Sequence, residues 1–122
     1  MTPVNEFTFD ALAALRGSGV QATGTETGTG LLVGSTDVIK ANCIVTVVES
    51  GGTLALHLEG SDDDSTYYDI PGGVFLDPSD GAIIDAVGKY EIYIKTDFDY
   101  IRTVAVVAGD DVTWQCFLSA AN

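Results

Sequence analysis

"NCIVTVVESGGTLALHLE", residues 42–59, decides the fold class. Cys43, Val45 and Val47 alternate with Ile44, Thr46 and Val48; then Leu54, Leu56 and Leu58 alternate with Ala55, His57 and Glu59. Apolar residues at every second position give the period of a strand with one buried face. "SGG" (50–52) reads as a turn, so the two runs are expected to pair as a hairpin. The same period returns in "KYEIYIKT" (89–96), with Tyr90, Ile92 and Ile94 on one side. It returns again in "YIRTVAVV" (100–107), which passes through the turn "AGDD" into "VTWQCFLS". There Val112, Trp114, Cys116 and Leu118 make the apolar side.

Strands about eight to twelve residues apart, with turns between them and no long helix, indicate an all-β protein. The expected architecture is a two-sheet antiparallel β-sandwich, jelly-roll-like. Residues 1–10 read as an extended N-terminal arm, since Pro3 disfavours a helix and no apolar period begins before Phe7. Residues 11–122 read as one domain. "DALAALR" (10–16) has a helix cap in Asp10 and a stop in Gly17, but at about two turns an isolated helix is marginal, and a strand is favoured. In "GSGVQATGTETGTG" (17–30) the glycines match neither a phosphate-binding loop nor a dinucleotide fingerprint. Gly24, Gly28 and Gly30 are read as turns or a β-edge.

The chain has 122 residues, of which 46% are hydrophobic and 19% charged, a globular composition long enough for one core. Eighteen acids against five bases leave a net charge of −13, which opposes binding to nucleic acid or to anionic membrane. The first residues show no secretory leader, and no apolar run approaches the ~20 residues of a membrane span. The expectation is synthesis in a cytoplasm, with Cys43 and Cys116 as free buried thiols.

"HLEGSDDDSTYYDI" (57–70) ends a strand in three consecutive aspartates. An EF-hand loop beginning at Asp62 would need glycine where Tyr67 stands, so that calcium loop is absent. Asp62, Asp64 and Asp69 remain weak candidates for a metal, against a solvated turn whose side chains bond their own backbone. Neighbouring acids in one loop do not make a hydrolase pair. His57, the one histidine, stands mid-strand with no nucleophile elbow and no metal-ligand spacing, so a solvated or interface role is expected. No catalytic residue and no cofactor is assigned. Arg102 and Tyr67, Tyr68, Tyr93 and Tyr100 are candidate protein-interface residues, because such side chains are enriched there.

The order of segments resembles a group of small tailed-bacteriophage virion proteins. A strand ends in "EGSDDDSTYYDI" (59–70), "GGVF" (72–75) follows, and "YIR" (100–102) opens a later strand with a glycine turn and a final strand. Asp64 stands where that group commonly has glycine. The resemblance implies a non-enzymatic capsid decoration (cement) protein on the outer capsid surface of a virion. It would be made in the host cytoplasm, often as a homotrimer, with the major capsid protein as partner. The arm, with Phe7 and Phe9 as alternating anchors, is expected to join the exposed tyrosines in those contacts. Two alternatives stay open: a tail, neck or fibre-base subunit, and a calcium- or carbohydrate-binding β-sandwich module.

Overall fold

The computed structural model describes residues 14–33, 38–77 and 81–120. The arm, with Phe7 and Phe9, lies outside the described residues. Nine strands follow in order: β1 (Ala14–Gln21), β2 (Gly24–Thr27), β3 (Leu31–Leu32), β4 (Val38–Val48), β5 (Thr53–Ser61), β6 (Tyr68–Val74), β7 (Gly88–Lys95), β8 (Tyr100–Ala108) and β9 (Val112–Ala120). No helix occurs among the described residues. One sheet has the order β1-β9-β4-β7 and the other β2-β8-β5-β6, with β3 continuing the β2 edge against β8. All pairings are antiparallel. This order, four strands against four, is the wiring of a jelly roll.

The alternation seen in the sequence is the alternation of the core. Leu54, Leu56 and Leu58 of β5 are buried, as are Ile101, Thr103, Ala105 and Val107 of β8 and Val112, Trp114, Cys116 and Leu118 of β9. Val47 departs from the expected face: a bulge between Val45 and Val47 turns it outward, 42% exposed, and Val48 packs against the core instead.

The expected hairpin of 42–59 does not form. β4 belongs to the first sheet and β5 to the second, so "SGG" carries the chain across the sandwich. "AGDD" does the same between β8 and β9. The two crossings lie side by side: Glu49 N–H donates to Asp111 O at 3.0 Å, and a Cβ on Gly109 would strike the carbonyl of Gly51. Gly109 also has φ +81°, so glycine is required there twice over. Period-2 patterning says which face of a strand is buried, but not which strand lies beside it. Among the long strands only β5 and β6 are consecutive neighbours in one sheet.

A polar clasp joins the two sheets through the core. Trp114, fully buried on β9, donates its indole N–H to Gln21 Oε1 on β1 at 2.9 Å. Gln21 in turn donates Nε2–H to Ala105 O on β8, in the other sheet, at 3.0 Å. Arg16 lies over the Trp114 ring at 4.4 Å, donates to Trp114 O, and reaches Glu26 of β2 at 2.8 Å. Both open edges of the sandwich on this side are thereby tied. On the neighbouring strand Cys43 stands directly opposite Cys116. Both are free and buried; burial pushes the Cys43 thiol up to about 12 and raises Cys116 well above its ordinary value.

Trp114→Phe removes the donor to Gln21 and leaves a small cavity. It is expected to cost about 2–4 kcal/mol in urea unfolding. A loss below about 1 kcal/mol would mean that the clasp is not what holds the sheets.

Candidate functional site

The aspartate run is the turn of the β5–β6 hairpin. Asp63 organises it: Oδ1 accepts from Ser65 N–H at 2.9 Å, from Thr66 N–H at 3.0 Å and from the Ser61 hydroxyl at 2.9 Å. Three donors on one carboxylate favour its charged form, and the Asp63 pKa lies below its ordinary value, chiefly through the Thr66 and Ser65 amides. Asp64 takes the left-handed conformation, φ 59°, which a short polar side chain tolerates and glycine adopts at no steric cost. Its carboxylate accepts from the Tyr67 hydroxyl. The turn is thus built by its own side chains, as the solvated-turn reading expected.

From this turn a stack runs across sheet β2-β8-β5-β6. Tyr67 lies under the Arg102 guanidinium, 3.8 Å from ring centroid to Cζ. Arg102 places Nε and Nη2 on Glu59 Oε1 at 2.9 and 2.7 Å, the two residues being direct partners on β8 and β5. Burial and the bond to Asp64 hold the Tyr67 phenol up at about 12. Gly30 lets the β2–β3 connection pass, since a Cβ there would overlap the Tyr67 hydroxyl and the Asp64 carboxylate. Tyr68, 59% exposed, stacks on Phe98 with ring centroids 6.1 Å apart. Tyr100 stands opposite Ser61, at the base of the same corner. Tyr93 is elsewhere, 57% exposed on β7 of the first sheet, opposite Lys40.

The three weak metal candidates do not come together. Asp64 is engaged by Tyr67, and Asp62 lines a hollow with Lys95, Thr96 and Phe98. Asp69 instead meets His57 and Glu59, the one group among the described residues whose donors could share an ion. His57 and Glu59 are two apart on β5 and so share its outward side. Asp69 pairs directly with Glu59 across β5–β6. An unbroken ladder would then set His57 opposite Pro71, but its partner is Val74. Three extra residues on β6, Pro71 to Gly73, bow this edge strand out, and Gly72 takes φ +76°. A shallow cleft lined by His57, Leu58, Asp69, Ile70 and Val74 lies beside the bow. His57 Nε2 is 3.5 Å from Glu59 Oε2 and 3.6 Å from Asp69 Oδ1. The sequence around His57 shows no ligand spacing because the third member arrives from another strand, set there by an irregular register.

Asp63→Ala should lower the melting temperature at pH 7, whereas Asp62→Ala should leave it nearly unchanged. Since the folded pKa of Asp63 is depressed, its contribution is present above the unfolded value. It is lost as pH falls through the folded one. The gap between the two variants should therefore close under acid, below about pH 4, in thermal melts followed by circular dichroism.

No protein-family model and no curated protein matches the chain. Among solved structures it is similar to the CBM22-1 xylan-binding domain of Paenibacillus barcinonensis Xyn10C. The two are 14% identical, the match covers 89% of this chain and 86% of that one, and the TM-score is 0.41.

Proposed function

We propose that this protein is a non-enzymatic virion component that decorates and stabilises the outer surface of a phage capsid by bridging major capsid protein subunits. The observation that carries this reading is the convergence of the phage-like segments. Glu59 and Tyr67 of "EGSDDDSTYYDI" meet the sequence-remote Arg102 of "YIR" in one stack, and the exposed Tyr68, next in the chain, stacks separately on Phe98. Those segments meet in one corner of the fold and are not scattered turns. A bridging protein also needs separate contact areas, and exposed tyrosines occur both at this corner and on β7. Arg102 and Tyr67 serve the corner's architecture, so Tyr68 and Tyr93 are the better contact residues of the set.

Charge fits the same role. Both arginines are spent on Glu26 and Glu59 inside the fold, and the three lysines lie on the β4–β7 side, at Lys40, Lys89 and Lys95. Lys40 and Lys89 both grip Glu91, and their ammonium groups hold its carboxyl below the ordinary range. The chain's net charge of −13 suits the outside of a shell and is repelled by the packaged nucleic acid within. Many copies, each binding weakly, add to shell stability by mass action.

Purified protein mixed with empty capsids of a tailed phage whose genome encodes it should co-sediment at fixed stoichiometry and raise the temperature of capsid disruption. Tyr93→Ala should weaken binding about tenfold or more without changing the protein's own melting temperature, and Tyr68→Ala should weaken binding by more than its loss of stacking on Phe98 lowers that temperature. A six-fold ring in solution that leaves capsids untouched would transfer the protein to the tail or neck.

A further inference from the structure

We propose that His57, Glu59 and Asp69 form a divalent-metal site of the zinc class on the outward side of the β5–β6 edge, independent of any capsid role. One imidazole nitrogen and two carboxylate oxygens lie within 4.8 Å of one another. The separations from Nε2, 3.5 and 3.6 Å, are too long for hydrogen bonds. They are close to the donor–donor spacing of about 3.3 Å that tetrahedral zinc imposes with bonds of about 2.0–2.1 Å. The three donor atoms thus lie within reach of one ion, and the two carboxylates also stand at ion-pair distance from the imidazole.

The donor set selects the class of ion. Calcium and magnesium prefer shells of oxygen, and an imidazole is a poor member of such a shell. One nitrogen with two carboxylate oxygens and no thiolate suits zinc and its divalent neighbours. Three protein ligands leave a fourth position for water or an added group. The surroundings also hold the ligands in place. Arg102 occupies Glu59 Oε1 with two hydrogen bonds, which leaves Oε2 presented towards His57. Arg102 is itself held over Tyr67. Such outer partners orient metal ligands and commonly change affinity by about 10–100-fold. His57 sits on β5, an inner strand flanked by β8 and β6, so its backbone is fixed on both sides. Asp69 is the outermost ligand, its side chain 83% exposed. The chain's net charge of −13 raises the local concentration of any divalent cation.

The test is calorimetric titration of the full, tag-free chain with zinc sulfate, with calcium chloride titrated separately. The expected result is one zinc per chain, with no saturable calcium binding. His57→Ala should abolish the zinc heat and Asp69→Asn weaken it about tenfold or more. Circular dichroism in a chelator should show both variants folded. Because His57 is the chain's one histidine, its imidazole resonances give a second readout, and zinc should shift them in the unaltered protein. Absence of zinc binding, binding of calcium in its place, or zinc binding undiminished by His57→Ala would each overturn the proposal. The last result would move the ion to the aspartate turn.

Discussion

The structure depends on one buried clasp, the Trp114 indole held by Gln21 and Gln21 held by Ala105. An indole N–H and a carboxamide in a core are costly unless every polar atom finds a partner. Here the partners come from three strands in two sheets, so the bonds exist only when the sheets are stacked in one register. Hydrophobic burial alone would permit the faces to slide; the clasp selects a position. Arg16 extends the same constraint to the surface by covering the indole and reaching Glu26 across the open edge.

With that stacking fixed, the connections follow. Most of them must cross between sheets, and crossing turns need close approach, as at Gly109 beside Gly51. The β5–β6 connection is different, because it reverses within one sheet. A tight reversal on a solvated edge calls for side chains that satisfy the backbone locally and for one residue with positive φ. Ser61, Asp63 and Asp64 supply these. The acidity of the run is a consequence of that demand and also blunts the edge against pairing with other chains.

Much of this was legible in the residues. The alternating runs at 42–48, 54–59, 89–95, 100–107 and 112–118 are strands with the buried sides the pattern implies, Val47 excepted. Their neighbours were not legible, because a leucine on β5 packs equally well whichever strand lies beside it. That is why the pairing expected across "SGG" became a crossing. The short β2 and β3 and the proline-bearing β6 gave no period, and Pro71 is tolerated because β6 lies at an edge. The hydrogen bonds around the aspartates were foreseeable from residue type. The meeting of Asp69 with His57 and Glu59 was not, since it depends on three extra residues that no alternation announces.

That irregularity connects the corner to the cluster beside it. A regular β6 would place Pro71 next to His57 and leave a flat, closed ladder. The bow keeps Asp69 on Glu59, carries Val74 to His57, and opens a cleft between them. Bulges survive in folded proteins where a side chain must be re-aimed, because each one forfeits ladder hydrogen bonds. Glu59 is the residue that both features share: one oxygen holds Arg102, and through it the tyrosine stack, while the other faces His57. A single carboxylate thus divides its two oxygens between the architecture of the corner and the chemistry of the edge. Glu59→Gln would separate the two uses, since the amide can keep an oxygen on Arg102 while turning a nitrogen, which cannot bind a metal, towards the imidazole.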